Sequence, residues 1–187
     1  RACSGNRCPS IEGLDSYDPD QASKVFAADG RLITDLGMER RTVLGLQEMS
    51  PAMVAAFLAT EDKRFYRHHG IDWVRFWGAV KANILAGGVS EGFSTITMKL
   101  ARNLFREELN RRERSLDRKI REAKVATQIE ARYDKDKILE LYLNQIDLGN
   151  RAFGVETASQ RYFGKSARDL NVAEAATLAA IPKSPSR

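Results

Sequence analysis

The sequence predicts a mainly α-helical domain with one short β-hairpin near its start. Three observations predict it. Two short runs, SKVFA and RLITDL, flank Asp29-Gly30, a dipeptide that supplies the positive φ angles of a tight turn. From Ser50 onward the apolar residues follow a helical pattern. Helix start and stop residues punctuate that pattern, among them Ser50-Pro51, Asp72 and Gly87-Gly88.

Taken in order, residues 1–22 read as irregular, rich in Gly, Ser, Asp and Pro, and the hairpin follows. Ser50 is a good N-cap, and Pro51 suits the first helical position because its missing N–H would be unpaired there anyway. That helix should run from Ala52 to about Lys63. His68-His69-Gly70 breaks the pattern, and Asp72 caps a helix through Trp73, Phe76, Trp77, Val80 and Ile84 that Gly87-Gly88 ends. The loop VSEGFS leads into a helix from Thr95 to about Phe105. After a polar connection come helices over about 115–133, 135–144, 154–162 and 172–181. No internal repeat or low-complexity segment is present.

Composition bounds the function classes. A chain of 187 residues fits one domain, or one with a small appendage, and can bury a real core. With 43% hydrophobic and 29% charged residues it reads as a soluble globular chain rather than a disordered one. No apolar run approaches the about 18 residues of a membrane span. Cys3 and Cys8 are compatible with a small disulfide loop or with free thiols, and are too few for a metal site. The chain begins at Arg1 and ends at Pro185-Ser186-Arg187, so it reads as a piece of a longer protein, compatible with a signal peptide or anchor lost from its front. The net charge of +5 comes from one stretch: Lys99 to Lys124 holds ten basic and five acidic residues, and the remainder balances. A concentrated basic stripe suggests an anionic partner such as phosphate, nucleic acid or a lipid head group, although a solvated helix face is the commoner fate of such runs.

Three constellations can carry chemistry. Glu61 and Asp62 lie at the end of an apolar helix, where a carboxylate is poorly matched to the dipole. Apolar neighbours such as Phe57, Leu58 and Phe65 would suit Glu61 to general-base work by raising its proton affinity. The plain alternative is a frayed, solvated helix end. In GFSTITMKLARN, residues 92–103, a Gly-led loop enters a helix through Ser94 and Thr95. Their hydroxyls and the backbone N–H groups suit a phosphate, with Lys99 and Arg102 adding charge, but the spacing of a P-loop is absent and an ordinary capped helix reads equally well. In RSLDRKIREAK, residues 114–124, Arg118 and Lys119 stand four and three residues before Glu122 and share its helix face. Such a group would organise a cationic site for an anionic leaving group. On the surface it would be an ion-pair ladder worth about 0.3–0.5 kcal/mol per pair.

Singly these signals are weak; their order and spacing are not. With EDKRFYRHHGID, GFSTITMKLARN, RKIREA, KILELYLNQIDLG and YFGKSARDLNVAEAATLAAIPKSP in that order, the chain resembles the peptidoglycan glycosyltransferases of glycosyltransferase family 51. That domain occurs in class A penicillin-binding proteins and in monofunctional enzymes. The resemblance runs from about Lys24 to the end.

The resemblance implies a lysozyme-like, two-lobed helical domain over residues 23–187, with a small membrane-facing lobe at about 70–92. In that lobe Trp73, Phe76, Trp77, Ile84 and Leu85 would touch lipid. The implied reaction joins lipid-linked disaccharide, lipid II, to a growing lipid-linked glycan with inversion and loss of lipid pyrophosphate. By resemblance Glu61 is the general base and Glu122 the second catalytic glutamate, which helps the pyrophosphate leave or organises its site. Asp62, Phe65 and His68 match motif positions around the base. Ser94, Thr95, Arg102 and Arg114 match positions lining the cleft or facing pyrophosphate, and Lys99, Arg118 and Lys119 belong to the same substrate-binding set. Lys99 departs from the family pattern, which usually has Gln there; the lysine adds a charge and removes an amide acceptor, so it either strengthens pyrophosphate binding or disturbs a sugar contact. No cofactor is required; a divalent cation, Mg or Mn, is compatible with the pyrophosphate, and no residue cluster demands a metal. The expected partners are lipid II, the nascent glycan and the membrane surface, not nucleic acid. The expected location is the outer, periplasmic face of the bacterial cytoplasmic membrane, with an N-terminal anchor and a C-terminal transpeptidase domain in the parent chain. The alternatives are a lysozyme-like lytic enzyme and a basic module binding anions or membranes.

Overall fold

The computed structural model describes Pro9, Ile11 and residues 23–29, 31–36, 42–88, 92–106, 108–109 and 116–183. The expectations for Cys3, Cys8 and Arg114, and most of the 1–22 segment, lie outside the described residues.

The hairpin is present. Strand β1 (Ser23–Phe26) pairs antiparallel with β2 (Leu32–Leu36), with a register irregularity between Val25 and Phe26. Asp29 supports the turn, its carboxylate accepting from the Arg31 backbone N–H at 3.0 Å and from Arg31 Nε at 2.7 Å.

Seven α-helices follow among the described residues: α1 (Pro51–Glu61), α2 (Trp73–Leu85), α3 (Ile96–Leu104), α4 (Leu116–Arg132), α5 (Lys135–Gln145), α6 (Val155–Phe163) and α7 (Val172–Ala180). Local chemistry sets their ends. The Asp72 side chain accepts from the Arg75 backbone N–H to start α2, and Gly87, at φ +64°, follows its C-cap. Thr95 accepts from the Met98 N–H to start α3, and Asn171 with Glu174 forms a reciprocal capping box on α7. Ser50 directly precedes α1, its carbonyl accepting from the Val54 N–H at 3.1 Å, and its hydroxyl also donates to the Leu170 carbonyl at 2.8 Å. The sequence reading also missed short 3-10 turns at Leu46–Glu48, Phe65–Arg67 and Ala167–Asp169, which are too short to show periodicity.

The described chain forms two compact units. One holds Glu61–Leu139; the other holds the hairpin through Thr60 together with the chain from Glu140 onward. The segment about 70–92, expected as a membrane-facing lobe, lies within the first unit.

In the second unit Asn144, from the motif KILELYLNQIDLG, is a strap point. The Asn144 side chain accepts from Leu44 N–H at 3.0 Å and donates to the Leu44 carbonyl at 2.8 Å, holding the segment before α1. Gly154 is required beside it. Its φ is +82°, and a Cβ there would meet the Asn144 carbonyl oxygen at 2.7 Å.

In the first unit α3 packs against α4. Arg118, Glu122, Val125, Ala126 and Ile129 are the buried residues of α4 and fall on one helical stripe. That stripe opens with an arginine and a glutamate where apolar residues would be ordinary. Gly70 lies against the backbone of Ala126, where a Cβ would come within 3.0 Å, and its carbonyl accepts from the Thr95 hydroxyl at 2.6 Å. The His-His-Gly break is thereby clamped between the start of α3 and the middle of α4.

Candidate active site

Two buried carboxylates define the site, and both lie in the first unit. Glu61 is the last residue of α1, with its side chain 1% exposed. Lys99 of α3 forms an ion pair with its Oε2, while its Oε1 is buried without a hydrogen-bond partner among the described residues. The expected apolar setting is therefore corrected in part. A cation stands beside the carboxylate, and an adjacent ammonium stabilises the ionised form. In the structure the Lys99 charge stands on the Glu61 carboxylate, a partner the sequence reading did not name.

The residues after Glu61 build its support. Asp62 is buried, and its Oδ2 accepts from His68 Nε2 and from the Ile96 backbone N–H, both at 3.0 Å. Phe65 is buried edge-on to the His68 ring, with Lys135 Nζ 4.3 Å from its ring centroid. Arg64 grips Asp72 through two nitrogens, Nε lying 2.9 Å from Oδ2. Burial alone would push the Asp72 carboxyl up; hydrogen bonds from Arg64 and the Arg75 N–H outweigh it and hold the carboxyl below its ordinary value. Arg75, which the sequence reading did not single out, donates to the Glu61 carbonyl at 2.9 Å and ties the end of α1 to the start of α2. A signal for it existed: it is the one charged residue in the apolar opening WVRFWGAV.

The second carboxylate, Glu122, is fully buried. Arg118 and Lys119 pair with its two oxygens from the same helix, Lys119 at 2.9 Å, and Arg102 Nη1 of α3 stands at 3.7 Å. A surface ladder is ruled out because the shared carboxylate is 0% exposed. Burial pushes the Lys119 ammonium below its ordinary value, with Arg102 and Arg118 acting in the same sense and Glu122 against them. Lys119 also donates to the Ser94 hydroxyl and lies 5.5 Å from the Phe93 ring centroid.

Helix α3 connects the two centres. Lys99 and Arg102, one turn apart, deliver one cation to Glu61 and one to Glu122. The geometry thus brings together Glu61, Asp62, Phe65, His68 and Lys99 around one carboxylate, and Ser94, Arg102, Arg118 and Lys119 around the other. Thr95 does not join them as a ligand contact. It is fully buried, with its hydroxyl committed to Gly70 and to capping α3. Asp62 and Phe65 are likewise supports behind the base, because burial keeps them from a substrate.

Both oxygens of Glu122 are taken by cations, and among the described residues no cluster of three or more His, Cys, Asp or Glu is placed to hold a metal.

The model of a protein family described as Transglycosylase matches residues 29–187. The chain belongs to the transglycosylase family. Among curated proteins it is similar to penicillin-binding protein 1A of Aquifex aeolicus, 48% identical over 179 residues, which covers 96% of this chain and 24% of that protein. It is also 48% identical to penicillin-binding protein 1A of Escherichia coli over 178 residues, 95% of this chain and 20% of that one. This chain therefore spans about a fifth to a quarter of the length of these relatives. Penicillin-binding protein 1A from Haemophilus influenzae, a crystal structure, is 27% identical over 91% of this chain and 15% of that chain, with a TM-score of 0.42. That score is too low to carry the fold, which rests on the helices and the family match. As a transglycosylase-family member the chain is a peptidoglycan glycosyltransferase domain, an enzyme, and its mainly helical build agrees with the lysozyme-like fold the resemblance implied.

Proposed function

We propose that this domain polymerises lipid-linked disaccharide into glycan strands, with Glu61 as general base and the group around Glu122 as the seat of the leaving pyrophosphate. One observation carries the reading: a single unit holds the buried carboxylates of Glu61 and Glu122, the first with an oxygen that has no hydrogen-bond partner among the described residues and the second ringed by three cations. Transfer of a sugar from a pyrophosphate needs both. The acceptor sugar hydroxyl attacks the anomeric carbon of the donor from the face opposite the pyrophosphate, giving inversion. As the new oxygen–carbon bond forms, the carboxylate of Glu61 takes the hydroxyl proton. The bond from the anomeric carbon to the pyrophosphate oxygen breaks, and its electron pair leaves with the lipid pyrophosphate. Arg102, Arg118 and Lys119 stabilise the charge that develops there, and Glu122 holds those cations in place. Ser94 shares the Lys119 ammonium and orients it. Arg114 would add to this cationic wall by its family position. These three cations supply positive charge to the leaving pyrophosphate. Cleavage of a glycan by water would not call for such a clamp, which sets this reading above a lytic enzyme.

The apolar side chains of α2 support a membrane setting. Trp73, Val74, Trp77, Ile84 and Leu85 are exposed on one helix, whereas Phe76 is half-buried against Phe93. Among the described residues no helix is long and apolar enough to cross a membrane. These side chains would instead sit in the outer leaflet of the cytoplasmic membrane, where a lipid-linked substrate is presented. A transpeptidase domain and a membrane anchor are proposed for the parent chain. The test is to supply lipid II in detergent and look for long glycan strands by gel or size exclusion. Parent chain should make them, and Glu61→Gln should not. Polymerisation by Glu61→Gln at the parent rate would overturn the mechanism.

A further inference from the structure

We propose that Lys99 is a latch on the base, closed in the resting enzyme and opened by the pyrophosphate of the bound donor. This deepens the proposed function, since it takes Glu61 to be the base. Three observations carry it. The Glu61 carboxylate is closed on both sides: Lys99 holds Oε2, and Oε1 is buried from solvent with no partner among the described residues. A hydroxyl cannot reach either oxygen until something moves. Lys99 is the member of the pair able to move, being 22% exposed against 1% for Glu61, on a flexible four-carbon stem. Finally, Lys99 shares α3 with Arg102, one turn away, and Arg102 already reaches toward Glu122 with Arg118 and Lys119. An anion drawn to those cations brings its negative charge to the same helix as the Lys99 ammonium and competes with Glu61 for it.

The consequence is an order of events. Without donor, the base is paired and shielded. With donor, the ammonium swings toward the pyrophosphate, adds a fourth cation to the leaving group and uncovers the carboxylate for the acceptor hydroxyl. A gate of this kind needs differential contacts in its two states, and the pair supplies them: carboxylate in one, pyrophosphate in the other.

Exposure of Glu61 tests the latch without relying on turnover. The chain is treated with a water-soluble carbodiimide and an amine, and labelling of the Glu61 peptide is read by mass spectrometry. In the parent, labelling should be low and should rise about tenfold on adding inorganic pyrophosphate, the ratio set by a shift of about 1.4 kcal/mol. In Lys99→Ala it should be high from the start and insensitive to pyrophosphate; Lys99→Arg, which keeps the cation, should stay protected. Equal labelling in parent and Lys99→Ala, or protection by pyrophosphate in the parent, would overturn the latch. If Lys99→Ala fails to fold, the pyrophosphate response of the parent decides alone. The two proposals fail separately. Full polymerisation by Glu61→Gln removes the base assignment whatever the labelling shows. An inactive Glu61→Gln whose parent shows no pyrophosphate response removes only the latch.

Discussion

Replacing Glu122 by Gln keeps the shape of the side chain and deletes one charge, leaving Arg118, Lys119 and Arg102 facing one another around a neutral amide. Removing one partner of a buried ion pair costs about 3–5 kcal/mol, because the remaining charge stays desolvated. The structure points to the low end of that range: Glu122 is fully buried, but Lys119 and Arg102 keep about a fifth of their side-chain surface in water. A loss of about 3 kcal/mol in a domain of this size lowers the melting temperature by about 6–12 °C. The assay is thermal unfolding followed by circular dichroism, repeated for Arg118→Gln and for the double variant. Because Arg118 and Glu122 touch, the double variant should be less damaged than the two losses summed, by about 1–2 kcal/mol. Inorganic pyrophosphate should raise the melting temperature of Glu122→Gln more than that of the parent, since the same cations then face it without the carboxylate charge. Polymerisation should nonetheless fall, because tighter ground-state binding does not lower the barrier. A melting temperature within 1 °C of the parent in Glu122→Gln, or losses that simply add, would refute the claim that Glu122 organises a buried cationic ring.

Two further outcomes follow from single positions. The Lys119 ammonium has a folded-state pKa below its ordinary 10.5 because of burial, so it sheds its proton at a lower pH than a solvated lysine. Activity per donor, measured as kcat/KM, should therefore decline on the alkaline side before pH 10.5, and Lys119→Arg should move that decline upward; an unmoved alkaline limb would clear Lys119 of the role. Gly154→Ala should destabilise the chain by about 1–3 kcal/mol in urea unfolding, since φ is +82° and the Asn144 carbonyl leaves no room; a change below about 0.5 kcal/mol would show that the backbone relaxes freely there.

The sequence by itself determined the helices, the hairpin and the family. These depend on contacts a few residues apart. Asp72 and Thr95 reach their own helices' N–H groups, Gly87 supplies a positive φ, and Arg118 and Lys119 meet Glu122 within one turn. Such interactions follow from helical geometry and can be read from spacing. Tertiary structure alone decided what each face meets. That Lys99 pairs with Glu61 depends on how α3 lies beside the end of α1, which no periodicity encodes. Thr95 illustrates the same limit, because its hydroxyl looks available to a phosphate until Gly70 is brought against it. Nor does spacing distinguish a buried ring around Glu122 from a solvated ladder. Packing α3 over the first turns of α4 removes that carboxylate from water and turns an ordinary ion-pair pattern into a charged site.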